Sequence, residues 1–334
     1  MEKYFGNGLE QGIWPLLNSA NSVLLAGCGG YYDVLNTLPL YFTLAAKGKA
    51  VHLASMNTGE LKNVEGEVIL QEKNPARSIV CMKVTSDTNF PNKGIFFPEY
   101  FLSKWFKDEA SQEVPVYTFK RRGVTKVAEG YSELVRRLGV DLIVLVDGGS
   151  DSLMAGDEHD LGTPLEDMVN VFAVAKTGVR SVLCCLGIGC DRFYGVSDRA
   201  TFRAIAELTQ AGGFLGSFCL QERMPEVQGY LSALEYVESN LPYPSIVGHY
   251  ITSSIKGYFG NYNKHERTQD SVIFVNPIMS QLYFFELKEV VRRVKYRDYV
   301  EDTQTSADFM VGIQYFRNNF AIQEVEEWPK VNEF

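Results

Sequence analysis

A chain of 334 residues, 46% apolar and 22% charged, can bury a substantial core as one large α/β unit or two smaller ones. Its formal net charge of −9 disfavours nonspecific nucleic-acid binding, and no zinc-finger or RNP signature offsets that charge. No apolar run approaches the ~20 residues needed to cross a bilayer, and MEKYFGNGLEQGIWPLL lacks the charged-then-apolar pattern of a signal peptide. Six cysteines without a Cys-x-x-Cys pair and four histidines without zinc-type spacing lead to the expectation of a reduced, cytoplasmic protein without structural zinc. The basic clusters Lys120-Arg121-Arg122 and Arg292-Arg293 read as solvated faces or helix ends.

In chain order, Ser22–Ala26 reads as a first strand and Asp33–Lys47 as a helix that Pro39 kinks or delays. Ala50–Ala54, Val64–Leu70 and Ile79–Val84 follow as short strands, the last two around an Asn74-Pro75 turn. Residues 86–108 form an aromatic loop and helix carrying Phe90, Phe96, Phe97, Tyr100, Phe101, Trp105 and Phe106. This segment has three readings: a lid over a ligand, a contact in a homo-oligomer, or ordinary core packing, which is the plainest. Val116–Phe119 is the next strand, and Val124–Leu138 has apolar residues at helical spacing up to Gly139. Leu142–Val146 and Ser181–Leu186 are strands around a helix over Pro164–Thr177, followed by a helix at Ser197–Ala211, a strand at Phe214–Leu220 and a helix at Pro225–Asn240. Beyond Leu241-Pro242-Tyr243-Pro244 come a helix to Tyr258, a polar loop, a strand at Ser271–Val275 and two terminal helices within 277–334.

Three of these strands end alike. Ser22–Ala26 runs into Gly27-Cys28-Gly29-Gly30 and Asp33, Leu142–Val146 into Asp147-Gly148-Gly149-Ser150-Asp151, and Ser181–Leu186 into Gly187-Ile188-Gly189-Cys190-Asp191. Strands alternating with helices predict a parallel sheet, where ligands bind outside the carboxyl ends and glycine lets backbone amides approach. If the three strands are neighbours, their turns share one crevice. Gly27, Gly29 and Gly30 with Asp33 offer amides to an anion, but neither the dinucleotide fingerprint nor a P-loop is present. Asp147 and Asp151 have the oxygen chemistry for one hard cation such as Mg²⁺, with Gly148 and Gly149 letting the chain fold back and Ser150 and Ser152 beside it; a plain hydrogen-bonded turn is the alternative. Asp191 faces the same crevice, and Glu158, with Asp157, follows in an acidic loop. Thr163, Pro164 and Glu166 fit a capping box and so a structural role. Cys190 has no partner base in sequence, His249 reads as a packed histidine, and Arg267 is a cation able to grip an anion in bidentate fashion.

The strings GCGGYYDV, VDGGSDSLMAGDE, LGTPLEDMVNVFAV, CLGIGCD, GGFLGSFCL and ERTQDSVIFVNPIMSQLYFFEL resemble the bacterial and archaeal family catalogued as domain of unknown function 1152. That resemblance implies one cytoplasmic α/β domain over 1–334 that includes the carboxyl-terminal helices, and it implies no established reaction. Asp147, Asp151, Asp157, Glu158 and Asp191 match acidic positions of its pattern, whereas Ser150 stands where threonine or another small residue is expected, and Cys190 where an aliphatic residue is expected. The expected fold is a three-layer, Rossmann-like α/β architecture, with a mostly parallel twisted sheet and helices on both faces. The expected function is a small-molecule enzyme. The first glycine turn and Arg267 would hold a phosphorylated or carboxylated metabolite, Asp147 and Asp151 would hold a divalent cation, and Asp191 or Glu158 would move a proton. Hydrolysis is the least demanding reaction for this set; a lyase or cyclase on a carboxylate, or a metabolite-binding module without turnover, uses the same groups.

Overall fold

The computed structural model describes residues 12–59, 64–72, 79–90, 96–262 and 273–325. The chain opens with α1 (Ile13–Ser19), β1 (Ser22–Gly27), α2 (Asp33–Asn36) and α3 (Leu38–Ala46). Pro39 resolves its own ambiguity: it sits in the first turn of α3, where its missing N–H is not needed, so the helix restarts there. Next come β2 (Ala50–Asn57), β3 (Glu67–Gln71), β4 (Ile79–Val84), α4 (Pro98–Ala110), β5 (Val116–Lys120) and α5 (Val124–Leu138). Val124, Val127, Ala128, Tyr131 and Leu134 give α5 its buried stripe, and Gly139 at φ 63 ends it in the left-handed region that glycine enters freely. The second half comprises β6 (Leu142–Asp147), α6 (Pro164–Lys176), β7 (Arg180–Leu186), α7 (Asp198–Gln210), β8 (Phe214–Cys219), α8 (Pro225–Ser239), α9 (Ile246–Ile255), β9 (Gln281–Glu286), α10 (Leu287–Arg293), α11 (Arg297–Val300) and α12 (Ser306–Asn319).

Among the described residues nine strands join one sheet in the order β3-β4-β5-β2-β1-β6-β7-β9-β8. The central strands β5, β2, β1, β6 and β7 are parallel, and only β4 and β9 run against the rest. Alternate side chains of the central strands enter two separate cores. Leu24, Ala26, Ile143 and Leu145 pack with α5, α6, α7, α10 and α12 on one face. Val23, Leu25, Val144 and Val146 pack with α1, α3, α4 and α8 on the other. The sheet is therefore the middle of three layers, buried on both sides as a parallel sheet requires.

Two expectations need correction. QLYFFE, read as part of the terminal helices, is β9; its Leu282 and Phe284 enter one core while Phe285 enters the other. A strand buried on both faces shows no polar alternation, so its period is invisible in sequence. The strand expected at Ser271–Val275 lies partly outside the described residues, and Val275 makes only an isolated bridge to Gly260. The Asn74-Pro75 turn and Arg267 also lie outside them. In the aromatic segment Phe97, Trp105 and Phe106 are core, and Phe96 alone reaches the cleft described below. All six cysteines are free, and among the described residues no helix is long and apolar enough to cross a membrane.

Candidate functional site

After β1 the chain turns into α2 and α3 on one face, and after β6 it turns into α6 on the other. β1 and β6 are adjacent, so their carboxyl ends part company at a topological switch point, which is where open α/β sheets bind ligands. A cleft of about 410 Å³ opens there. Its floor holds Gly29, Gly30, Asp33, Asp147, Gly148, Asp151, Thr163, Glu166, Asp167 and Asp191, so all three glycine turns do meet. Tyr31, Tyr32, Phe96, Tyr194, Tyr243 and the start of α9 complete the lining.

The floor is built from the strand ends outward. Cys28 N–H donates to the Val146 carbonyl (2.8 Å), joining the two turns. The Asn170 amide of α6 donates to the Cys28 and Glu166 carbonyls and accepts from Tyr131 Oη (2.9 Å), which docks α6 against the first turn. Asp33 lies between the turns. Its Oδ2 accepts from Gly29 N–H (2.9 Å), and a Cβ on Gly29 or Gly148 would come within 2.5 Å of its carboxyl oxygens. Both positions need glycine for this close approach. Asp147 accepts from the Ser152 hydroxyl, and Asp191 accepts from Ser150 N–H (2.5 Å). Asp151 Oδ2 accepts from Thr163 N–H (2.7 Å) and Oγ1 (2.9 Å), while Thr163 Oγ1 also lies 3.0 Å from Asp167 Oδ2. A hydroxyl has one proton, so both of its carboxylate contacts are satisfied together only when one carboxyl is protonated and donates back.

The charges are as unusual as the packing. Asp147, Asp151, Asp167 and Asp191 are each at most 5% exposed. Among the described residues no ion pair reaches any of them or Asp33; Arg121 comes to the margin and pairs with Glu166 (2.5 Å). Burial pushes the Asp147, Asp167 and Asp191 carboxyls well above the usual carboxylate range, and the neighbouring aspartates push further the same way. Burial raises Asp151 as well, against the hydrogen bonds from Thr163. Asp33 is pushed up to about 7, by enclosure of its carboxyl first and by the Asp151 charge, while the Gly29 and Gly148 amides pull it down. Oxygens of Asp33, Asp147 and Asp167 lie within 4.8 Å of one another, close enough to share a single cation.

The family model described as Protein of unknown function (DUF1152) matches residues 102–314. The chain belongs to this family. The matched span carries β6, α6 and β7 with their acidic turns and leaves the β1 turn outside it. No curated protein and no solved structure matches the chain.

Within this member of the family the residues singled out by sequence divide into three groups. Gly29, Gly30, Asp33, Asp147, Gly148, Asp151 and Asp191 line the cleft. Gly27, Gly149, Ser150 and Ser152 do not line it; Gly27 ends β1, Gly149 lies under Asp191, and the two serines hold Asp191 and Asp147. Glu158 lies elsewhere, and this corrects its expected place in the crevice: its carboxylate accepts from Ala155 N–H (3.0 Å) and Gly156 N–H (2.8 Å) and meets Arg203 at 3.6 Å. Asp157 pairs with Lys295 (2.5 Å) and accepts from the Gln323 amide (2.6 Å). Of the two aspartates expected to share a cation, Asp147 has an oxygen that converges with those of Asp33 and Asp167, whereas Asp151 accepts from Thr163. The capping box at Thr163 does not form: Pro164 takes the first helical turn as expected, but the Thr163 side chain makes no cap hydrogen bond and turns to the aspartates. Cys190 is buried, and burial pushes its thiol well above the usual range, which works against a nucleophilic role; His249 is buried and stacks on Tyr262.

Sequence reasoning missed Asp167 as a cleft residue, along with the aromatic lining. For Asp167 a signal existed. A helix that follows a strand of a parallel sheet starts at the carboxyl edge, so first-turn acids of α6 face the same side as Asp147. Tyr194 lies three residues beyond Asp191 in the same short helical turn, so its proximity to the third glycine turn was a signal; for Tyr243, in a loop far along the chain, no sequence signal exists.

Proposed function

We propose that the protein is a divalent-cation-dependent enzyme acting on a small phosphorylated or carboxylated metabolite, with hydrolysis as its reaction. One observation carries this reading: two buried carboxylates, Asp147 and Asp167, converge with the half-buried Asp33 at a switch-point cleft with no lysine or arginine among the described residues to balance them. Buried like charges must protonate or acquire a cation, and a cation also gives an anionic ligand a reason to enter an acidic cleft. Asp33, Asp147 and Asp167 are the cation's ligands in this reading, and Mg²⁺ or a similar ion supplies a Lewis acid that polarises the substrate or activates water. Asp191, held by Ser150 and raised by burial, is the group that gives or takes the proton, with Asp151 steadied by Thr163 beside it. The free cysteines and the net charge of −9 support a cytoplasmic protein acting on a small molecule rather than on nucleic acid or a membrane. The aromatic segment supports packing more than a homo-oligomer contact, since Phe97, Trp105 and Phe106 are buried within the chain.

Calorimetry and melting curves with Mg²⁺, Mn²⁺ and Ca²⁺ on the wild type, Asp147→Asn and Asp167→Asn test the reading, followed by a screen of phosphorylated metabolites with and without the ion. Cation binding should stabilise the wild type by about 2.7 kcal/mol at a hundred-fold excess over Kd and leave both variants unmoved. Negligible heats in all three proteins, with and without a metabolite found by the screen, would sink the metal-assisted mechanism.

A further inference from the structure

The cleft pairs its acidic floor with a lining of a different character. Tyr31 and Tyr243 both line it, and they are 54% and 59% exposed; Pro244, Ile246 and Val247 add apolar surface beside Tyr243. Large aromatics exposed together in a concave site are the unusual observation, since scattered ones are ordinary. Tyr31 is also held in the left-handed region at φ 57, a strained conformation for a residue with a β-carbon, while its ring meets Phe96 edge-on at 5.4 Å. Tyr32 packs on Phe96 at 5.2 Å and donates its hydroxyl to the Tyr243 carbonyl, so the first turn and the Tyr243 loop are tied across the cleft. Strain that presents an aromatic ring at a ligand site, on a wall fixed by such a tie, is how a clamp is pre-organised. A volume near 410 Å³ has room for more than a bare phosphate or carboxylate group.

We infer that the ligand carries a flat ring next to its anionic head, with the head directed to the cation on the aspartates and the ring lying against Tyr31 and Tyr243. This rests on the proposed function for the head group and goes beyond it in naming ring-bearing organic anions as the ligand class. Aromatic contact of this kind, together with the apolar area it buries, is enough for a tenfold preference or more.

Phenylphosphonate and methylphosphonate present the same head group with and without a ring, and neither is an ester that hydrolysis would consume. Titrated into the full chain with Mg²⁺ or Mn²⁺, phenylphosphonate should bind at least tenfold more tightly than methylphosphonate. Tyr31→Ala and Tyr243→Ala should each shrink that preference several-fold while methylphosphonate affinity and the cation-induced rise in melting stay as in the wild type; Tyr31→Phe should keep the preference. Equal affinities of the two phosphonates in the wild type would overturn the ring inference and leave the metal-and-anion reading standing. So would a preference that both alanine variants retain. If neither phosphonate binds but phenyltrimethylammonium does, in a Tyr31-dependent manner, the anionic head is overturned while the ring contact holds. Absence of binding by all three ligands overturns the inference.

Discussion

The string from Val146 to Asp167 contains two groups of acids with opposite fates. Asp157 and Glu158 are surrounded by compensation: Lys295 and Gln323 on Asp157, two amides and Arg203 on Glu158, and Arg317 bonded to the carbonyls of Gly156, Glu158 and His159. The carboxyl-terminal segment supplies most of these partners, which staple the loop to the body of the fold. Asp147, Asp151 and Asp167 lie within about a dozen residues of that loop, are as deeply buried, and among the described residues have only hydroxyls, a thiol, amides and one another as partners. Paired carboxylates in a fold are explained by stability; buried carboxylates with no lysine or arginine partner among the described residues work against stability, which is the ground of the proposed cation site. The difference separates structure from candidate chemistry inside one acidic stretch.

The comparison breaks most visibly at Glu158. Glu158→Ala leaves two buried amides without an acceptor and should lower stability by about 3 kcal/mol by denaturant unfolding, with cation affinity at the aspartates unchanged. A variant that unfolds normally but loses cation binding would return Glu158 to the site.

Glu99 sharpens the contrast as a third buried acid, away from the cleft. It is fully buried, accepts from the Asn57 amide (2.9 Å), and has a second oxygen with no partner among the described residues. Burial pushes its carboxyl up to about 7. The folded state then holds a proton that the unfolded chain has already released, so this contribution is full below the unfolded value near 4.5 and is lost as pH rises to about 7. Melting temperature of the cation-free protein should fall across that window, and Glu99→Gln should flatten the fall by about 3 °C. An unchanged slope in the variant would show that Glu99 is ionised throughout.

Thr163 gives the smallest and most discriminating effect. Thr163→Ala removes the donor to Asp151 and the contact to Asp167, and should weaken cation binding about tenfold, or about 1.4 kcal/mol, while melting moves little. Thr163→Ser keeps the hydroxyl and should restore most of the affinity. Loss of melting temperature with unaltered cation affinity would instead make Thr163 an ordinary helix cap.

The amino-acid sequence by itself determined the parallel centre of the sheet, because apolar runs ending in glycine and aspartate and followed by amphipathic helices admit few other arrangements. It also determined which turns carry carboxylates, through Asp33, Asp147, Asp151 and Asp191. Tertiary structure decided what those residues do. Whether an acid meets a basic side chain or another acid depends on segments more than a hundred residues apart, as with Asp157 and Lys295, and local spacing contains no record of that distance. Strand order alone placed β1 beside β6 and so brought Asp167 to Asp33, while the double-sided burial of β9 hid its period from any reading of the chain. Tyr31 and Tyr243 share a cleft for the same reason: the fold closes two loops over one sheet edge.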